Sequence, residues 1–316
     1  MNNKKYLIAL ALALVAAPVI AQKVKAKSAE AEATYKDIQA TLGSVPEFFK
    51  AYPDYAISGA WLEMKSVQLN PKTALSSKQK ELIGLGVSAQ IPCEYCVYFH
   101  TEAAKANGAT EDEIKHAIAE ASLTRQWSTV LNGLQQDEAA FKAELTKMVD
   151  HMKKQEQANK GKPMPPPVVV TDNASFLRDV EKTMGFVPTF IKAVPPEQQV
   201  ALWNHWKSVE MNPKAPLDMK TTGLIGLAVA AQTPCNYCII ADKEFSRMAG
   251  TSDRERYEAI AIAGIVRHWS TFLNGSQFDM QQFRTDTDRV MANLKRSSGR
   301  APEAPGTGAK AKTKTK

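Results

Sequence analysis

The chain has 316 residues, room for about two ordinary domains, and its 44% hydrophobic and 23% charged content excludes a disordered or fibrous protein. Four cysteines are too few for a disulfide-built miniprotein, so folding rests on apolar burial and the cysteines are read by their spacing. The net charge of +7 sits at the ends: Lys4 and Lys5 near the start, and seven basic residues against the single acid Glu303 from Lys295 onward. The body between is nearly neutral, which excludes a folded nucleic-acid reader with its own basic patch.

Residues 1–21 have a basic start, an apolar run from Tyr6 to Val15 and a small-residue end at Val19 and Ala21. This is the pattern of a secretory signal peptide cleaved after Ala21, and it implies a periplasmic or secreted protein. Pro18 and Gln22-Lys23 stop the run short of the roughly 20 apolar residues of a membrane helix, and no other segment is a candidate for a stable membrane span. A first helical domain is expected over 35–148. In it Asn107-Gly108 ends one helix with a left-handed cap, and Thr110-Glu111-Asp112-Glu113 opens the next with a capping box, followed by Ala117, Ile118, Ala121 and Ser122 at helical spacing. Residues 149–172, with Pro163, Pro165, Pro166 and Pro167, read as an extended linker. A second domain follows over 173–294, with Ala249-Gly250 and Ser252 to Glu255 as the matching cap and box, and then a basic disordered tail over 295–316. No segment alternates like a strand, since Val168-Val169-Val170 is short and follows prolines. The expected fold is all-α.

The two domains are one unit written twice. Leu82-Ile83-Gly84-Leu85 and Pro92 to Cys96 return at an offset of 142 as Leu224-Ile225-Gly226-Leu227 and Pro234 to Cys238. Gly43, Pro46, Phe48, Trp61, Asn70-Pro71, Gly108 and Trp127-Ser128-Thr129 recur at the same offset, which argues for duplication of a whole domain rather than a short solenoid repeat. The paired tryptophans read as core, and the Gly-x-Val-Pro segments from Gly43 and Gly185 as loop punctuation.

The chemistry lies in the cysteine pairs. Pro92 suits the first turn of a helix, and a helix N-terminus stabilises a thiolate at Cys93-Glu94-Tyr95-Cys96. His100, four residues after Cys96, falls on the same helical face as that sulfur, and Glu81 is far enough upstream to fold back and orient it. A shared zinc site, two structural disulfides and a mere surface histidine are the competing readings. The distance between the pairs disfavours zinc, and neither a metal nor a cofactor is called for. In the second copy the relay positions are Gly223 and Asp242, and a carboxylate there would raise a thiol's pKa. Cys235 and Cys238 are therefore a possible second redox pair or a structural disulfide; His205 and His268 are the histidines that could stand in for the missing relay, although the one beside Trp269 reads as a packing residue.

Glu81, then Cys93-x-Tyr95-Cys96, then His100, then Gly108-Ala109-Thr110-x-x-Glu113, resembles the carboxymuconolactone decarboxylase/AhpD-like family over about residues 40–135. The resemblance recurs, weakened, over about 182–277. It implies two tandem AhpD-like helical domains, self-association through helical faces, and reduction of a hydroperoxide by a cysteine pair at the expense of an unidentified thiol reductant. By position, Cys96 is then the peroxidatic thiolate, Cys93 the resolving thiol, and His100 with Glu81 the proton relay. Tyr95 stands where some relatives have a histidine. The same residues also allow a general thiol–disulfide oxidoreductase or a non-catalytic assembly protein with permanent disulfides.

Overall fold

The computed structural model describes residues 28–160, 162 and 165–297. The leader at 1–21 and most of the basic tail lie outside the described residues. Fourteen helices and no strand form among those described. The first half contributes α1 (Ala29–Leu42), α2 (Glu47–Ala51), α3 (Ile57–Val67), α4 (Ser77–Gln90), α5 (Glu94–Ala106), α6 (Glu111–Leu134) and α7 (Glu138–Ala158). The second repeats them as α8 (Asn173–Met184), α9 (Thr189–Lys192), α10 (Pro196–Glu210), α11 (Met219–Gln232), α12 (Asn236–Met248), α13 (Asp253–Gly275) and α14 (Met280–Ser297).

The boundaries follow local chemistry. Thr110 with Glu113, and Ser252 with Glu255, form reciprocal capping boxes at α6 and α13. Gly108 and Gly250 adopt the positive φ values, 83° and 85°, that end α5 and α12. Pro92 lies outside the first turn where the sequence suggested it. Cys93 is itself the N-cap of α5, its sulfur accepting from the Cys96 N–H. The linker is also shorter than its expected start at 149. Lys153 to Ala158 contain only good helix formers and no proline, so α7 runs on to Ala158. Likewise α1 begins at Ala29, ahead of residue 35, and α14 carries the first residues of the tail, 295–297.

At the centre α4 and α11 pack on each other and on both long helices, α6 and α13. The two inner helices are apolar all round, with Leu82 to Val87 and Leu224 to Ala230 buried, as suits helices enclosed on every side. Each fully buried Leu or Ile there contributes roughly 1.5–3 kcal/mol.

The last helix of each half crosses over. α7 packs on α12 and α8, and α14 packs on α5, α2 and α1. Phe141, Leu145 and Met148 of α7 thus share a core with Phe176, Met184 and Trp203, while Phe283, Val290 and Met291 of α14 share one with Phe48, Phe49 and Trp61. Tyr95 fastens one crossing by donating to the Phe278 carbonyl at 2.5 Å, and Tyr237 fastens the other by donating to the Gln136 carbonyl at 2.5 Å. A buried ion pair adds a third tie. Lys80 is fully enclosed and pairs with Glu258 of α13 at 3.2 Å while donating to the carbonyls of Val67 and Asn70. Its register equivalents, Thr222 and His116, meet only at 3.4 Å.

Candidate active site

The first cysteine pair sits where α5 begins, under α13 and α14. Cys93 is fully buried and Cys96 is 5% exposed. Both are thiols, with their sulfurs 2.9 Å apart. Cys93 Sγ is surrounded by donors. The Cys96 thiol donates to it, with further support from Ser270, the Cys96 N–H at 3.4 Å and Asn274 Nδ2 at 3.4 Å. Against the opposing effect of burial, these bring Cys93 down to about 6. Cys96 is pushed up, because it gives its proton to Cys93, is buried, and lies beside the Cys93 charge.

His100 Nδ1 lies 2.7 Å from Glu81 Oε2, both groups being buried. The expected carboxylate does fold back from α4 onto the imidazole of α5. Room for the ring comes from Gly84, where a Cβ would sit 2.5 Å from the imidazole. The other Glu81 oxygen accepts from Gln68 Nε2 at 2.8 Å, so the carboxylate is held at both ends.

Cys96 and His100 line one cavity of about 40 Å³, with Gln68 and Phe48 from the first half and Ile265, Trp269 and Phe283 from the second. Charge and access therefore divide between the sulfurs: Cys93 holds the negative charge, and Cys96 faces the cavity with the histidine. The structure brings together all four residues named from the sequence. Sequence reasoning missed Gln68, Gly84, Ser270 and Asn274. Gly84, Ser270 and Asn274 had one signal, their recurrence as Gly226, Ser128 and Asn132 at the 142-residue offset, and Gln68 had none. Tyr95 makes no hydrogen bond to the cysteines, its hydroxyl being committed to the Phe278 carbonyl. His268 stacks on Tyr52 at 5.7 Å and packs on Trp269, as the packing reading expects, and His205 is exposed.

The model of the carboxymuconolactone decarboxylase family matches residues 46–139 and again 199–278, together more than half of the chain. This chain belongs to the carboxymuconolactone decarboxylase family. No curated protein matches it. Among solved structures, it resembles a gamma-carboxymuconolactone decarboxylase subunit from Burkholderia xenovorans at 13% identity and a TM-score of 0.49, covering 84% of this chain and 98% of that one. The two family segments coincide with the two copies and include both cysteine pairs.

The second copy keeps the family scaffold and changes the chemistry. Cys235 and Cys238 form a disulfide, with Cys235 again the N-cap of its helix. A Cβ at Gly223 would lie 3.2 Å from Ser246 Cα, so α11 and α12 pack tightly where Glu81 stands in the first copy. Asp242 replaces the imidazole and Glu210 replaces Gln68. Glu120 reaches in from α6, placing Oε1 3.0 Å from the Cβ position of Gly226. Burial first, and the neighbouring acids second, push Glu120 and Asp242 well above the usual carboxylate range. Burial brings Glu210 to about 7, against a smaller opposing effect of the Trp206 indole.

Proposed function

We propose that this family member is an exported, thiol-dependent peroxidase that reduces small hydroperoxides at Cys93 and Cys96. The observation that carries the reading is the shared cavity, which sets Cys96 beside a histidine locked by a buried carboxylate. Its volume of about 40 Å³ exceeds the roughly 30 Å³ share of one water molecule and suits a small oxidant. The near-complete burial of both sulfurs favours such an oxidant over a protein disulfide.

In the proposed cycle Cys93 begins as thiolate. As Cys96 attacks the terminal oxygen of the hydroperoxide, its proton passes across the 2.9 Å contact to Cys93. The O–O bond breaks, Cys96 becomes a sulfenic acid, and the departing alkoxide takes a proton from the His100 imidazolium that Glu81 orients. Cys93 then attacks the sulfenic-acid sulfur, and its proton leaves with the released hydroxide as water, giving a Cys93–Cys96 disulfide. Hydroperoxide and two thiols have become alcohol, water and disulfide, and an external dithiol restores the pair. The leader at 1–21 would export the enzyme, and copies would associate through helical faces as the resemblance implies. Among the described residues no helix is long and apolar enough to cross a membrane.

The test is the rate and stoichiometry of thiol oxidation by hydrogen peroxide and by an organic hydroperoxide. Two thiols lost per peroxide in the wild type, and no catalytic turnover with a dithiol in Cys96→Ser, are expected. Turnover that survives Cys96→Ser would refute the assignment.

A further inference from the structure

The second cavity has the makings of a ligand site in its own right. It has a volume of about 70 Å³, larger than the first, and Trp127, Phe141, Phe190, Trp206 and Phe245 are among its walls. Glu210 and Asp242 open onto it, as does Thr124, whose hydroxyl lies 3.2 Å from Glu120 Oε1. No Lys, Arg or His lines it. Glu120 is 2% exposed, its Oε2 has no hydrogen-bond partner, and neither does Asp242 Oδ2. Buried polar atoms are normally satisfied, so two carboxyl groups that approach Gly226, each with one unpartnered oxygen, mark donors that a ligand in the adjoining cavity must bring.

We propose that this cavity binds a small primary alkylammonium ion, with its N–H donors on Asp242 and Glu210 and its carbon chain against the aromatic walls. Glu144 lines it as well, held by the Thr189 N–H and hydroxyl, and carboxyl groups with no basic neighbour select a cation. The apolar walls select an organic one, since indole and phenyl faces attract a cation while excluding water. Among the described residues no cluster of three or more acidic, histidine or cysteine side chains has the geometry to hold a metal ion. An engineered apolar cavity of about 150 Å³ accommodates benzene, so this smaller volume suits roughly three to five heavy atoms. Trp127 Nε1 is also unpartnered, leaving a place for one acceptor on the ligand.

The experiment titrates the full-length protein, with its Cys235–Cys238 disulfide intact, with propylammonium chloride and with 1-propanol by calorimetry. Saturable propylammonium binding at least tenfold tighter than that of the isosteric alcohol is expected. Asp242→Asn and Glu210→Gln should each weaken it by tenfold or more while propanol binding stays unchanged. Using both variants guards against one failing to fold, and thermal unfolding checks each. Equal affinity for the alcohol, no saturable propylammonium binding, or undiminished binding in the folded variants would overturn the proposal. The site is separate from Cys93 and Cys96, so the result does not depend on the peroxidase reading.

Discussion

The two cavities are built by the same helices in the same register, yet one holds a hydrogen-bonded histidine and the other unpaired acids. Each is walled by the opposite half: α13 and α14 close over Cys96, while α6 and α7 close over Cys238. In the first, Gly84 admits an imidazole and Glu81 holds it. In the second, Gly226 lies beneath carboxyl groups that no base accompanies. The scaffold therefore tolerates opposite electrostatics as long as the wall helices and the glycine under the site are kept. Chemistry is set by three register pairs: Glu81 against Gly223, His100 against Asp242, and Gln68 against Glu210.

The comparison breaks most sharply at the cysteines. If only the first cavity reduces peroxide, Cys96→Ser abolishes dithiol-dependent peroxide consumption and Cys238→Ser leaves most of it. Equal losses would mean that the histidine and its carboxylate are irrelevant. Within the first cavity, His100→Ala and Glu81→Gln should each slow sulfenate formation by about 10²–10⁴-fold, the usual worth of general acid–base help. Their effects should not multiply, because the two act as one unit. A double variant slowed by the full product would assign them separate roles. Asp242→Ala, at the register position of His100, should leave the rate unchanged.

Much of this was legible in the sequence because it is local. Capping boxes at Thr110 and Ser252, the left-handed glycines and the 142-residue register all announce themselves within a few residues or by repetition. Cys96 and His100 were paired because a helix forces position four onto the face of its cysteine, and Glu81 was added because its spacing from Cys93 lets the preceding helix fold back and matches the family pattern. The crossing of α7 and α14 left no such mark. Phe141 and Phe283 look like ordinary apolar helix positions, and nothing in the chain says which half they will cover. Ser270 and Asn274 were missed for the same reason, acting on a cysteine in the other half, while Gln68 sits at the C-terminal end of α3 with no pattern that ties it to Glu81. The acidic cluster was missed because Glu120 belongs to the half opposite Asp242, and its own register partner is an isoleucine, Ile262.

The tie between the halves differs from side to side, and stability should follow. Glu258→Gln leaves the Lys80 ammonium buried without its counter-charge, a change that typically costs about 3–5 kcal/mol. His116→Ala removes only the long contact to Thr222 from a half-buried residue, and should cost about 1 kcal/mol or less. Denaturant unfolding of the two variants measures the difference. Equal costs would show that the ion pair contributes nothing beyond its packing.

The smallest effect concerns how the second half tunes the first-half thiol. Asn274 Nδ2 lies 3.4 Å from Cys93 Sγ and is shared with the Ser270 carbonyl at 2.8 Å and hydroxyl at 3.3 Å. A hydrogen bond to a charged group is worth roughly 1.5–3 kcal/mol, and each pKa unit corresponds to about 1.36 kcal/mol. At this length, and shared among three acceptors, the bond falls at or below the low end, so Asn274→Ala should raise the Cys93 midpoint by about one unit. In the wild type that midpoint is about 6. The thiolate is then present above it and lost as pH falls through it, and the acid limb of peroxide consumption follows. Because the folded pKa lies below the ordinary thiol value of 9.0, the charged Cys93 also favours the folded state. That contribution is full above the unfolded value and fades as pH drops towards 6. Ultraviolet titration of the thiolate in both proteins reads the shift directly. Asn132→Ala, at the register position of Asn274, should leave the Cys93 midpoint where it is. An Asn274→Ala midpoint that also stays put would mean that the Cys96 thiol and backbone, with Ser270, stabilise the charge without the amide.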